Sequence, residues 1–217
     1  MKFERNPEYE DFLLQAMWDA MAEPDREQPS VTGMIKCLTR TFYENYYTSS
    51  GNGAPDRETL LLFSTGLGLE HVILNDMQRT EKGTFEGVGY HMDHFGSSED
   101  FIEFKSTRLS LKNAPDNYNL GWMRQWMAYA KAKGIIKGKF VALHLMGSYN
   151  PPFPQLVVWD VEATADEVDA NWEWIQIRKA IYLDAVDKGE APAPFTYNED
   201  WECKTCPWKM ICDERSK

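Results

Sequence analysis

Apolar residues recur along the chain of 217 residues with two spacings, which predict an alternation of helices and strands. A period of about 3.6 residues predicts helices over 7–22, from Ser30 or Thr32 to Tyr43, and over 57–79, 118–133 and 164–187. Alternation with period two predicts strands over 88–92 and 101–105, and short apolar runs predict strands over 140–146 and 155–161. Strands interspersed among helices in this order favour an α/β fold with a mixed central sheet flanked by helices.

Turn and capping residues support these boundaries. Thr164 and Glu167 form the capping box that opens the last helix, and Gly189 is placed to end it. Gly96-Ser97-Ser98 predicts the turn of a hairpin between the strands at 88–92 and 101–105. Residues 24–29 are predicted to form a linker and residues 49–55 a loop, because both are rich in turn-forming residues.

The second strand of this predicted hairpin carries candidate chemistry. Glu103 and Lys105 are two residues apart and share one face of the strand, and Asp93 comes from the neighbouring strand. Two carboxylates near each other suit Mg²⁺, which takes oxygen ligands and keeps several waters. The alternative is a solvent-exposed Glu and Lys on an ordinary strand, which Glu-x-Lys by itself would favour.

The charge is distributed unevenly along the chain. The net charge is −11, yet the segment from Lys105 to Lys139 holds eight basic residues and one acid, Asp116. Such a segment could follow a phosphate backbone, and the aromatic residues within it could stack on unpaired bases. The alternative is that the aromatic side chains belong to the core and the lysines to a solvated face. The aromatic residues concerned are Tyr118, Trp122, Trp126 and Tyr129.

Several function classes are disfavoured by the sequence. No Gly-x4-Gly-Lys-Ser/Thr motif occurs, so an ATP-driven motor of that class is not expected. No stretch approaches the ~18 apolar residues of a membrane span. The first residues lack the apolar run of a signal peptide, so a cytoplasmic location is expected, in a cell or in a virus-infected host.

The four cysteines predict a metal site. Cys203, Cys206 and Cys212 form Cys-x2-Cys-x5-Cys, and Cys37 is the one remaining cysteine. In a reducing compartment this spacing favours metal binding over disulfides. Zinc and iron–sulfur clusters both accept four thiolates, and a lone distant fourth ligand favours the cluster. Such a site would tie the C-terminal tail to the N-terminal region and couple folding to metal binding.

Six short motifs in a fixed order resemble a known family across nearly the whole chain. They are Cys37 with Arg40 and Tyr43, His71 on its helix, Asp93, Glu103-Phe104-Lys105, Gln125 with Tyr129, and the C-terminal cysteines. This set resembles the RecB-like branch of the PD-(D/E)xK nucleases that carries an iron–sulfur cluster. Within that branch it is most similar to the CRISPR-associated exonucleases of the Cas-four type, and the nuclease module of AddB is also similar.

The resemblance implies a fold and a role for each matched residue. It implies one nuclease domain over 1–217 with a restriction-endonuclease-like core over 56–188, and a cluster region over 30–47 and 189–217. His71, Asp93, Glu103 and the Phe104 carbonyl would bind Mg²⁺ or Mn²⁺, Lys105 would position the attacking water, and Gln125 and Tyr129 would orient the site. Cys37, Cys203, Cys206 and Cys212 would hold a [4Fe–4S] cluster. His71 by itself would otherwise be interpreted as a core residue.

The function expected from this reasoning is metal-dependent hydrolysis of DNA. Aromatic residues beside basic ones favour single-stranded ends as the substrate. The resemblance implies an exonuclease that acts in CRISPR spacer acquisition or in phage or host recombination and repair. Its partner would then be a CRISPR integrase or a recombination protein. The alternative is a non-catalytic protein that binds DNA ends on the same fold, with a structural cluster. The set of Asp93, Glu103 and Lys105 favours the enzyme, because a pure binding protein would not need it.

Overall fold

The computed structural model describes residues 6–21, 29–48, 57–74, 81–96, 101–194, 198–204 and 206–215. Within them the helices are α1 (Pro7–Met21), α2 (Val31–Ile35), α3 (Leu38–Thr48), α4 (Arg57–Leu74), α5 (Leu120–Lys133), α6 (Ala165–Lys188) and α7 (Lys209–Arg215). The strands are β1 (Glu81–Phe85), β2 (Val88–Met92), β3 (His94–Phe95), β4 (Phe101–Thr107), β5 (Lys137–His144) and β6 (Gln155–Glu162). Short 3₁₀ helices span Leu111–Asn113 and Asp200–Cys203.

The central sheet is mixed and has four strands in the order β3–β4–β5–β6. β4 and β5 are parallel, and α5 lies between them in the chain, so the unit is β4–α5–β5. β3 pairs antiparallel with β4, and β6 pairs antiparallel with β5. Helices cover both faces of this sheet, which places β4 in the interior of the molecule.

Two hydrophobic clusters lie on opposite faces of the sheet. The larger one joins Phe101 and Phe140 of the sheet to α2, α3, α5 and α6, with Trp126 and Ile175 among its fully buried members. The smaller one joins Ile102 and Phe104 of β4 to the end of α4 at Leu74. Because side chains alternate along β4, Glu103 and Lys105 lie on the side of the larger cluster.

The predicted hairpin is partly wrong. β2 does not pair with β4 in the described residues; it pairs with β1, which the sequence analysis did not predict. Glu86 and Gly87 form the tight turn between β1 and β2, with φ of 45° and 73°. The chain then bends at Asp93, and the two residues of β3 make the antiparallel pairing with β4.

The single helix predicted from Ser30 or Thr32 to Tyr43 is two helices. Ser30 caps α2 by accepting a hydrogen bond from Gly33 N at 3.2 Å. The helix stops because Lys36 is extended, with ψ of 172°, and α3 begins at Leu38. The buried Arg178 of α6 donates to the carbonyl oxygens of Met34 and Lys36, which have no partner within α2 because the helix ends there. Cys37 therefore lies in a bend and not within a helix.

The C-terminal tail is fastened to this bend by protein contacts. The buried carboxylate of Glu202 accepts a hydrogen bond from Cys37 N at 2.6 Å. Thr39 donates to the carbonyl oxygen of Ala193 at 3.0 Å, and Arg215 donates to that of Ala191 at 2.8 Å. The tail and the N-terminal region are thus adjacent, as the cysteine pattern predicts.

The other boundaries agree with the sequence within a few residues. The capping box of Thr164 and Glu167 opens α6, and Gly189 ends it with a left-handed φ of 66°. β5 begins at Lys137, three residues before the predicted strand. The predicted linker at 24–28, the loop at 49–55, the end of the third helix at 75–79 and Ser97-Ser98 of the predicted turn lie outside the described residues. None of the described helices has the length and apolar character of a membrane span.

Candidate active site

A buried acid and a lysine form the centre of the site. Glu103 is completely inaccessible to solvent, and the Lys105 ammonium donates to its Oε1. Its other oxygen, Oε2, is buried and accepts no hydrogen bond. Burial, followed by repulsion from Asp93, raises the pKa of Glu103 to about 8. A buried carboxylate with one unsatisfied oxygen is costly unless a further donor or a cation meets it.

Asp93 joins Glu103 from the bend between β2 and β3. Its Oδ2 accepts a hydrogen bond from Phe104 N at 2.7 Å, which holds the carboxylate against β4. Burial raises the pKa of Asp93, and the charge of Lys105 opposes that effect. For Lys105 burial alone would lower the pKa, but the charges of Glu103 and Asp93 outweigh it and raise this pKa. The structure therefore places the three predicted residues in one electrostatic unit.

A third acid, Glu70 of α4, was missed by the sequence analysis. Burial and then repulsion from Asp93 raise the pKa of Glu70 to about 7, and Lys105 opposes them. The predicted ligand, His71, follows it and is exposed on α4, so the alternative of a core histidine is wrong. Its role as a metal ligand stays a prediction. α4 approaches β4 closely, since a Cβ on Gly66 would lie 3.5 Å from Ser106 Oγ.

The predicted pair on α5 lies against the same acids. Gln125 Nε2 donates to Tyr129 Oη at 2.8 Å, one turn apart on the helix. Burial raises the pKa of Tyr129 well above its ordinary value, and the charges of Glu103 and Asp93 raise it further. Tyr129 therefore stays protonated and can donate to an anion. It is also a core residue, with its ring centroid 6.4 Å from that of Phe101.

The donor set fits a hard divalent cation. Three carboxylates, those of Glu70, Asp93 and Glu103, repel one another in a buried place with a single lysine to oppose them. Oxygen ligands of this kind suit Mg²⁺ or Mn²⁺. In the part of the chain that the structure describes, no three His, Cys, Asp or Glu side chains form a preformed metal cage. The carboxylates turn instead to Lys105 and to the Phe104 amide.

The four cysteines interact electrostatically, although they too form no preformed metal cage in the described residues. None of Cys37, Cys203, Cys206 and Cys212 forms a disulfide bond. Burial raises the pKa values of the three C-terminal thiols, and the charge of Cys37 raises each of them further. Thiols whose pKa values are raised in this way suit a metal, because a bound cation favours the thiolate form.

The basic segment differs from its predicted use. Lys131, Lys133, Lys137 and Lys139 form ion pairs with Asp169, Glu81, Glu162 and Asp160 respectively. These lysines are thereby neutralised by acids that lie far from them in sequence. The aromatic residues of the segment are buried or half-buried against the core, which agrees with the alternative that they are core residues.

Comparison with known proteins identifies the fold. The sequence matches no protein-family model and no curated protein. Among solved structures, the crystal structure of SSO0001 shares 19% identity over 94% of this chain and 95% of that one, with a TM-score of 0.54. The alkaline exonuclease LHK-Exo from Laribacter hongkongensis shares 11% identity over 80% and 95%, with a TM-score of 0.50. The predicted fold class is confirmed: the chain has a restriction-endonuclease-like α/β fold, which it shares with an exonuclease.

Proposed function

We propose that this chain is a metal-dependent nuclease that trims single-stranded DNA ends. The observation that carries the proposal is the fully buried Glu103 with an unsatisfied oxygen, beside Asp93, Glu70 and Lys105. If this position served only the stability of the fold, an apolar side chain would stabilise the protein more than a buried carboxylate does. The fold shared with an alkaline exonuclease agrees with this proposal.

The roles follow from the placement of each group. Asp93 and Glu103 would hold Mg²⁺ or Mn²⁺ with the Phe104 carbonyl, and α4 would contribute Glu70 or His71. When bound, such a cation activates a water for attack and neutralises charge on the phosphate. Lys105, which already donates to Glu103, would hold that water in line with the phosphorus. Tyr129 with Gln125 would donate to a phosphate oxygen.

The further features of the proposal concern the cluster and the setting. Cys37, Cys203, Cys206 and Cys212 would hold a [4Fe–4S] cluster with a structural role. The activity would serve CRISPR spacer acquisition or phage or host recombination and repair in the cytoplasm, with an integrase or a recombination protein as partner. The effect of Cys37 on the pKa values of the three C-terminal thiols supports a shared metal.

The test is a cleavage assay on end-labelled single-stranded DNA with Mn²⁺, using protein purified anaerobically. We expect Lys105→Ala to lose cleavage by about 100-fold or more, as for a general acid–base group. The control is Lys188→Ala, whose exposed lysine pairs with Asp184 on α6, and it should cleave normally. A circular single strand of the same sequence should stay intact if ends are required.

The assay also separates the alternative function. Binding of DNA ends without cleavage, by protein whose cluster is intact, would contradict the nuclease and favour the non-catalytic adaptor. Equal cleavage by wild type and Lys105→Ala would exclude this site as the place of the chemistry.

A further inference from the structure

We propose that an exposed aromatic loop between β5 and β6 binds single-stranded DNA by stacking on its bases. The loop, residues 145–154, is called the aromatic loop below. Its two aromatic side chains are exposed: Tyr149 by 61% and Phe153 by 47%. This inference rests on the proposed nuclease function, because it identifies the surface that holds the substrate of the same site.

The aromatic loop packs against the residues that follow β4. Leu145 N donates to Thr107 O at 2.9 Å, and Leu111 N donates to Gly147 O at 3.0 Å. The hydroxyl of Tyr149 donates to Arg108 O at 3.1 Å. Since Thr107 is two residues beyond Lys105 on the same strand, the loop adjoins the strand that carries the site.

The charge around this loop is basic. Between Glu103 and Asp160 the chain contains one acid, Asp116, whereas the whole chain has 34. Arg108 and Lys112 are exposed beside the loop, and neither forms an ion pair with another residue that the structure describes. They differ in this respect from the lysines of α5 and β5. Two unpaired cations next to two exposed rings suit a strand of phosphates with unpaired bases.

The backbone at Tyr149 gives an independent indication. Its φ is 63°, a left-handed conformation that glycine adopts easily and a tyrosine rarely. The conformation is held by a hydrogen bond from Tyr149 N to Met146 O at 2.8 Å. Backbone geometry alone would favour glycine here, so it does not explain the tyrosine. The hydroxyl is fixed by its bond to Arg108 O, and the exposed ring is available to a base.

The test measures binding without cleavage. Fluorescence anisotropy in EDTA would follow a labelled single strand of about 12 nucleotides, within the range that such surfaces hold. Tyr149→Gly removes the ring and suits the local backbone, so folding is preserved. We expect this variant and Phe153→Ala to bind about 5- to 150-fold more weakly, which corresponds to the loss of one stacked base. The matched control is Tyr9→Ala on α1, since Tyr9 is exposed by 59%, and it should bind like wild type.

Two further arms identify the contacts. An abasic strand offers phosphates without bases, so wild type should bind it at least as weakly as Tyr149→Gly binds normal DNA. Binding weakens as salt is added, and the slope of the logarithm of affinity against the logarithm of salt concentration counts phosphate contacts. Replacing Arg108 and Lys112 together by alanine should make this slope less steep by about 0.7 for each phosphate contact that is lost.

The outcomes for the loop and for the nuclease are distinct. If both Tyr149→Gly and Phe153→Ala bind the strand with wild-type affinity, the proposal that the aromatic loop binds DNA is wrong, even if cleavage depends on Lys105. Weaker binding in both variants supports the loop, even if wild type does not cleave DNA and the nuclease proposal fails. Failure of wild type to bind the single strand at all would overturn the loop as well.

Discussion

Replacing Glu103 by glutamine should stabilise the metal-free protein while it removes activity. Glutamine has nearly the same shape and can still accept a hydrogen bond from Lys105, but it cannot ionise. The Glu103 carboxyl has an ordinary pKa of 4.5 and a folded-state pKa of about 8, because it is buried beside Asp93. Raising the pKa means that the folded state holds the proton more tightly than the unfolded state does.

The magnitude follows from this difference. As the pH rises above 4.5 the unfolded chain loses the proton first, so wild type loses stability until the pH passes the folded value of about 8. With about 1.4 kcal/mol per pKa unit, the loss is under about 1 kcal/mol near pH 5 and about 3 kcal/mol near pH 7. The substituted protein lacks this loss. Its advantage over wild type in free energy of unfolding should therefore grow with pH.

The assay is denaturant unfolding in EDTA at several pH values, for wild type and Glu103→Gln. The control is Glu162→Gln, an exposed residue that pairs with Lys137 at the surface and should change stability by less than ~1 kcal/mol. Added Mn²⁺ should stabilise wild type near pH 8 but not Glu103→Gln, because cation binding needs the ionised carboxylate. A variant that is less stable than wild type near pH 8 in EDTA would refute the reasoning.

Three other perturbations test separate parts of the structure. Glu70→Gln should raise the Mn²⁺ concentration needed for cleavage more than His71→Ala does, and the opposite order in a metal titration would assign the α4 ligand to His71. Cys206→Ser should lose the visible absorbance of an iron–sulfur cluster and melt at a lower temperature with its secondary structure kept; a colourless wild type containing zinc would contradict the cluster. Arg178→Met leaves the carbonyl oxygens of Met34 and Lys36 without their buried donor and should cost about 2–4 kcal/mol in urea unfolding. An unchanged midpoint would show that this guanidinium does not support the bend.

The sequence predicts a helix or strand well where residues next to its ends define where it begins and stops. The capping box at Thr164 and the glycine at 189 depend on neighbouring residues alone, so the sequence is sufficient for them. β1 was missed because its residues, Glu81–Phe85, are half-buried or exposed and show no apolar alternation. It exists because the turn at Glu86 and Gly87 returns the chain along β2, and such pairing is not visible in one segment.

The sequence predicts which side chains of the site share a face of β4, but it does not predict which face of α4 points to them. Alternation along β4 places Glu103 and Lys105 on one face, and the structure agrees. The rotation of α4 about its axis is not predictable from the sequence, because apolar residues occur on its exposed faces as well as on its buried face. They include the buried Leu60 and the exposed Leu61, Leu62 and Phe63. Adjacent residues on a helix point about 100° apart, so this rotation decides between Glu70 and His71. Likewise, the sequence shows that the lysines of α5 and β5 form a basic segment, but it does not show that acids from other strands and helices, such as Asp160, pair with them.

The bond between Glu202 and the backbone of Cys37 has a consequence for how the protein could survive damage. This bond and those of Thr39 and Arg215 hold the tail through carboxylate, hydroxyl, guanidinium and amide groups, in which no thiol takes part. If the proposed cluster were lost to oxidation, these bonds would still hold the tail against the bend at Cys37, in a chain that is still folded. We expect that iron and sulfide can be reloaded into such a protein directly, so that repair does not require a new round of folding.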